Sequence, residues 1–189
     1  MDIDRENYML FNLSYVEENI DHFKKYAHLA HTRFKFNFGN KSSTELYRYY
    51  NCIGLLSGSK EYYKMFKDIF KKIREFSQTE EPLWFQCWLN LHKNNELLKW
   101  HNHVDSLFHG YISIDPKNTE TVFENHTIKN KTGNVYIGHS YKYHKVICKN
   151  NYEDERITIA FDVVNEDTLK ETYKKYGEVD INTSYMPIY

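Results

Sequence analysis

Cysteine, proline and glycine are all scarce in this chain. Its three cysteines, Cys52, Cys87 and Cys148, stand far apart among 189 residues. That number and spacing exclude a disulfide framework and a thiolate zinc site, and free thiols suit a reducing compartment. The seven glycines form no Gly-x-Gly-x-x-Gly, no phosphate loop and no Gly-x-Ser-x-Gly elbow, so nucleotide-binding and serine-hydrolase chemistry have no footing. No apolar run approaches the length of a membrane span, and the first residues, Met-Asp-Ile-Asp-Arg-Glu, lack the basic and apolar segments of an export signal. Neither sign of charge prevails: 25 Lys and Arg face 26 Asp and Glu, a net charge of -1. No basic field draws nucleic acid or an anionic membrane. We therefore expect a cytoplasmic protein that acts on a small molecule or a protein. Membrane association is not expected and nucleic acid is disfavoured.

What the chain does have is aromatic bulk. Tyrosine (17) and phenylalanine (12) supply much of an apolar content of 41%, enough for a packed core. The length suits one domain spanning 1–189. Residues 1–80 read mostly helical. Apolar residues recur at helical spacing from Tyr15 to about His31, and Phe alternates with polar residues over Arg33–Phe38 as in a short strand. Ser42-Ser43-Thr44-Glu45 fits a capping box that opens a helix running to about Leu56. The clearest amphipathic helix carries Tyr62, Phe66, Ile69, Phe70, Ile73 and Phe76 on one face.

From Trp84 the period becomes two, and both faces of the segment to Leu91 carry apolar bulk, so a strand covered on both sides is expected. Further strands are expected over Glu96–His103, His109–Ile114, Thr121–Phe123, Asn134–Ile137, His144–Cys148 and Arg156–Val163. A terminal helix, Thr168–Tyr176, is stopped by Gly177. Short, evenly spaced strands preceded by helices imply an α+β protein with a β-sandwich or small barrel, core 83–164, and a helix and tail over 165–189.

The chemistry concentrates in Trp100–Ile114, which holds His101, His103, Asp105 and His109. Alternate residues of a strand share a face, so an extended segment projects His101, His103 and Asp105 together. Two imidazoles and a carboxylate on one side of an ion form the donor set of non-haem iron(II) centres. A distal histidine is available at His144, after the turn at Gly133 and an apolar strand. Arg156 then opens a strand with Thr158 on the same face, a guanidinium and a hydroxyl suited to gripping a carboxylate. Tyr111 shares the face of His109, and Trp88 and Asn90 line the preceding strand as candidate substrate contacts.

The ordered set His-x-His or His-x-Asp, glycine-led strand, distal His and Arg-x-Thr resembles the 2-oxoglutarate and iron(II)-dependent oxygenases. It is most similar to short bacterial and phage members with a His-x-His segment before a Ser/His-Gly-Tyr strand, here His109-Gly110-Tyr111. The resemblance covers roughly residues 83–164. It implies a double-stranded β-helix (jelly-roll, cupin-like) backed by the N-terminal helices. It also implies iron(II) at three of His101, His103, Asp105 and His144, and 2-oxoglutarate held by Arg156 and Thr158 near His109 and Tyr111. The implied activity is hydroxylation of a protein side chain or small molecule, with release of succinate and CO2. Two registers stay open. Counting from the turn at Asn94-Asn95 favours His101 as first ligand and a three-histidine site; residue type favours His103 and Asp105. Two other readings remain beside it. One is a three-histidine cupin-type dioxygenase that does not use 2-oxoglutarate. The other is a jelly-roll binding module with Trp84, Trp88 and Trp100 as its platform. The helical front half has two candidate uses, shaping the substrate mouth or forming a homodimer contact.

Overall fold

In the strand Arg156–Asn165 every residue but the last is buried, yet polar and apolar side chains alternate. One face, Ile157, Ile159, Phe161 and Val163, is wholly apolar; the other is Arg156, Thr158, Ala160 and Asp162. A strand can look like this only if one face meets a hydrophobic layer and the other a polar interior. The rest of the fold supplies both. The structure is a computed structural model that describes residues 2–4, 8–94, 96, 98–176 and 184–189.

In chain order the elements are β1 (Asp2–Asp4), β2 (Tyr8–Asn12), α1 (Ser14–Glu18), α2 (Ile20–Phe38), α3 (Ile53–Leu56) and α4 (Lys60–Ser77). Then come β3 (Leu83–His92), β4 (Phe108–Asp115), β5 (Thr119–Phe123), β6 (Thr127–Lys129), β7 (Asn134–His139), β8 (His144–Cys148), β9 (Arg156–Asn165), α5 (Glu166–Tyr176) and β10 (Met186–Ile188). Two antiparallel sheets result, a large one ordered β1-β2-β7-β4-β9-β3-β10 and a small one ordered β6-β5-β8. Helices α2 and α4 back the large sheet: the Phe66 and Phe70 rings meet Phe85 edge-on, and Phe23 meets Tyr62. The α4 face expected from sequence is the buried one, with Ser59 capping the helix by accepting the Tyr62 N–H. Each such ring removed from water stabilises the layer by about 1.5–3 kcal/mol. Among the described residues no helix is long and apolar enough to cross a membrane.

On the opposite face the large and small sheets enclose the polar interior. Register fixes its contents. Asp162 pairs with His109 on β4 and with Gln86 on β3, Thr158 with Ser113 and Asn90, and Arg156 with His92. Gly110 is required where β4 passes under the Phe161 ring, since a Cβ there would run into that ring and the Tyr136 carbonyl.

Several sequence expectations fail. Residues 1–80 are mostly helical as expected, but the strand β2, which pairs with β7 and extends the large sheet, was not foreseen. Arg33–Phe38 is the last stretch of α2. Phe34 and Phe38 stack one helical turn apart while Phe36 is 80% exposed, so the apparent alternation is half of a helical stripe. Ser42 does accept the Glu45 N–H, yet turns, a 3-10 segment at Tyr47–Tyr49 and the separate α3 replace one long helix. The strand expected over Glu96–His103 is, among its described residues, a loop held to β8 by a bridge between His101 and His144. The expected helix stop, Gly177, lies outside the described residues, as does Asn95 of the expected turn.

Candidate functional site

Three of the histidines singled out by sequence meet. In the antiparallel bridge His101 donates its N–H to the His144 carbonyl (3.0 Å) and receives the His144 N–H (2.9 Å). Two residues on, the His103 N–H bonds the Ser140 carbonyl at 2.8 Å. One ligand atom from each of His101, His103 and His144 lies within 4.8 Å of the other two.

Their hydrogen bonds dictate their tautomers. Nδ1 of His101 is 2.7 Å from the Lys99 carbonyl, and Nδ1 of His144 is 3.2 Å from the Lys142 carbonyl. A carbonyl only accepts, so both nitrogens carry the proton and both Nε2 atoms keep a lone pair. Nδ1 of His103 faces Asp162, 3.2 Å from Oδ1 and 3.3 Å from Oδ2, and Nδ1 of His109 lies 3.0 Å from the same carboxylate. Burial opposes the charge on Asp162, but charge and hydrogen bonds from His103 and His109 hold its carboxyl well below the usual range. It is therefore an acceptor for both rings. The Nε2 of His103 is buried and has no hydrogen-bond partner among the described residues. Burial, then the proximity of like groups, pushes His144 down to about 2 and His109 to about 4, and burial also lowers His101. These rings stay neutral, the form that binds a metal.

A second donor group, His103, His109 and Asp162, has the two-histidine, one-carboxylate composition of an iron site. Its geometry argues against a shared ion. The His103 and His109 rings are stacked, with centroids 3.6 Å apart and an angle of 11° between planes. An ion lies in the plane of each imidazole it binds, and stacked parallel planes do not meet. At about 2.1 Å from each nitrogen, two rings at right angles about one ion have centroids roughly 4.6 Å apart. The pairs among His101, His103 and His144 are separated by 5.2, 4.3 and 5.5 Å, with 63°, 54° and 10° between planes; the near-parallel His103 and His144 rings are far enough apart to lie side by side in one plane about an ion, which rings 3.6 Å apart are not. The three-imidazole set thus fits a metal, and the partnerless buried His103 Nε2 marks where it belongs.

Asp105 does not join these groups. The Ser106 N–H closes a turn onto the His103 carbonyl at 3.0 Å, so the chain is no longer extended at Asp105. Its carboxylate swings away to Arg48 (3.0 Å) and Lys175 (2.9 Å).

A cavity of about 410 Å³ opens beside the imidazoles and is lined by His101, His103, His109, Tyr111, His144, Arg156, Thr158, Trp88 and Asn90, all expected from sequence. Arg156 is 3% exposed, and among the described residues no carboxylate pairs with it. Its Nη2 donates to Nδ1 of His92 at 2.7 Å. His92 is 7% exposed; burial and the Arg156 charge hold it at about 4, so it is a neutral acceptor. Its Nε2–H then donates to Thr44 (2.9 Å), whose hydroxyl donates to Asn90 (2.6 Å). Asn90 is thereby committed to the scaffold, Tyr111 donates to Asn130 (3.1 Å), and Trp88 packs against His103 and His109.

Sequence reasoning passed over two residues that matter here. Asp162 shares the parity of Arg156 and Thr158 and is the one charge in an apolar run, a combination rare enough to flag. His92 shares the parity of Trp88 and Asn90 and was missed because the strand was ended one residue short.

No protein-family model matches the sequence, and no curated protein matches it. Solved structures do. The non-heme alpha-ketoglutarate-dependent epimerase SnoN from nogalamycin biosynthesis matches 85% of this chain and 78% of its own, with a TM-score of 0.57 and 10% identity. The non-heme monooxygenase ThoJ, solved as a nickel complex, matches 85% of this chain and 75% of its own, with a TM-score of 0.54 and 10% identity. At such identities the likeness is one of fold, and with the two facing antiparallel sheets it makes this chain a double-stranded β-helix with helices on its large sheet.

Proposed function

We propose that this protein is a non-haem iron(II) oxygenase that uses 2-oxoglutarate, with His101, His103 and His144 as the metal ligands. The observation that carries the reading is one cavity with opposite demands. It presents three imidazole lone pairs suited to a cation, and a buried guanidinium with no carboxylate partner among the described residues. A buried unpaired charge is costly, and a bound anion relieves that cost. A dicarboxylate keto acid answers both demands at once.

When bound, iron(II) with 2-oxoglutarate and oxygen supplies an oxidative decarboxylation to succinate and CO2 coupled to hydroxylation of a C–H bond. The chain's own part is positional. Arg156 grips the distal carboxylate, Thr158 offers a hydroxyl from the same strand face, and the His92–Thr44–Asn90 relay fixes the guanidinium. Trp88 walls the imidazoles and excludes water, while His109 and Tyr111 line the cavity from β4. The substrate is a small molecule or a protein side chain.

Oxygen-dependent succinate production from 2-oxoglutarate and iron(II) tests this, with loss expected in His144→Ala and a raised 2-oxoglutarate requirement in Arg156→Ala. Absence of turnover, even without substrate, sinks it. A set of three histidines without a carboxylate also favours a second reading, a cupin-type dioxygenase that needs no 2-oxoglutarate. Anaerobic titration separates the two: a visible charge-transfer band on adding 2-oxoglutarate to the iron-loaded protein appears only under the first.

A further inference from the structure

The three imidazoles are not held alike. His101 and His144 are anchored by main chain: the loop carrying His101 bridges to β8, and each Nδ1 bonds a carbonyl two residues back, Lys99 or Lys142. His103 sits on the loop before β4, where the chain turns, and its Nδ1 has no such carbonyl. It has Asp162 instead. We infer that Asp162 is a positioning residue for the metal centre: it is not a ligand, but it locks His103 as the Nδ1–H tautomer and aims the His103 Nε2 at the ion.

The surroundings of Asp162 suit that task. It is buried on β9, a paired strand in the middle of the large sheet, with His109 opposite on β4. His109 gives its own Nδ1–H to the same carboxylate and lies flat on the His103 ring, so two stacked imidazoles are clamped by one anion. The clamp leaves the buried His103 Nε2 without a partner, an arrangement that costs free energy unless a cation covers it. A carboxylate on the far nitrogen of a ligating histidine also raises that ligand's basicity. Asp162 thereby places a negative charge one ring away from a centre whose three ligands carry none.

The inference rests on the metal reading of the site and not on 2-oxoglutarate. Cobalt(II) titration of the full chain, followed by calorimetry and visible absorption, tests it in the wild type, His144→Ala, Asp162→Asn and Asp162→Ala, with circular dichroism confirming the fold. Asp162→Asn should weaken binding by about 10- to 100-fold, because an amide accepts from one ring and presents N–H to the other. Its cobalt absorption bands should keep their position and intensity, since no ligand is lost. Asp162→Ala should bind no better than Asp162→Asn. His144→Ala should lose both binding and bands. An affinity within twofold of wild type in Asp162→Asn overturns the inference, and so do altered bands, which would make Asp162 a ligand. A wild type that binds no cobalt takes the metal reading down with it. If the Asp162 variants do not fold, long-range proton–nitrogen NMR of the wild type, apo and zinc-loaded, decides the point. His103 protonated on Nδ1 in both states supports the clamp; His103 protonated on Nε2 refutes it.

Discussion

The two ends of the cavity are built on opposite principles. At the imidazole end burial holds His101 and His144 neutral, ring protons are turned outward to carbonyls and to Asp162, and the lone pairs converge inward. At the other end a charge is buried and held by a neutral histidine, so its field is not cancelled. The first end holds no buried cation, and its unmet need is a buried lone pair on His103 until a cation arrives. The second is costly until an anion arrives. The difference teaches that polar groups in one interior can be prepared for opposite ligands by choosing which atom of a histidine is spent on the scaffold. His144 spends Nδ1 and offers Nε2; His92 spends both, Nδ1 on Arg156 and Nε2 on Thr44.

The largest way to break the comparison is at the metal end. His144→Ala should reduce metal affinity by more than the roughly 10- to 100-fold expected for changes outside the ligand set. The binding of metal-independent anions at Arg156 should be untouched, as calorimetry with each ligand separately would show. Metal at a hundred times its dissociation constant should raise the wild-type unfolding free energy by about 2.7 kcal/mol, and a chelator should remove that gain.

The next effect is at the arginine end, and its sign is the informative part. Arg156→Met should abolish the binding of 2-oxoglutarate yet leave the ligand-free protein as stable or more stable, by about 1–4 kcal/mol, because an apolar side chain replaces a buried charge. Denaturant unfolding reads this directly. A clear loss of stability would mean that the guanidinium serves the scaffold rather than a ligand.

Acid sharpens the contrast further. His92 sits at about 4 in the folded protein, below the ordinary 6.5, chiefly through burial and then through Arg156. As pH falls below 6.5 the unfolded chain takes up the proton first, so stability is complete above 6.5 and declines towards pH 4. At about 1.4 kcal/mol per unit the His92 share is about 3.5 kcal/mol. Unfolding of the metal-free protein between pH 7 and 4.5 should show the decline, and Arg156→Met should make it shallower.

Much of this was legible from local pattern. The α4 stripe and the alternation in β3 and β9 rest on periodicity, which survives folding because it decides which face is buried, whereas the order His101, His103, His144, Arg156, Thr158 rests on residue types in sequence and a family resemblance. What failed was whatever depended on long-range partners. The pairing of β2 with β7 joins segments more than a hundred residues apart and leaves no mark near Tyr8–Asn12. The stripe Phe34, Phe36, Phe38 fits either period over so few residues, and only its helical context decides. Asp162 looked like one more strand residue because its role lies in two rings supplied by another strand and a loop.

The smallest expected effect bears on the same point. His103-Val104-Asp105 satisfies the His-x-Asp pattern in letters, and the rule that residues two apart share a face holds only while the backbone stays extended. Here the backbone turns at Val104 and Asp105, so the carboxylate meets Arg48 and Lys175 instead of the imidazoles. The Asp105 side chain is about a third exposed, and removing a partner from such surface pairs costs at most about 1 kcal/mol. Asp105→Asn should therefore shift the unfolding midpoint slightly and leave cobalt affinity within twofold, under the same conditions in which Asp162→Asn loses one to two orders of magnitude. The reverse ranking, with Asp105→Asn the more damaging to metal binding, would show that the ion unwinds the turn and restores an extended segment. The ligand set would then be His103, Asp105 and His144, and the contrast between a carboxylate clamped by imidazoles and one paired with Arg48 and Lys175 would belong to the metal-free protein alone.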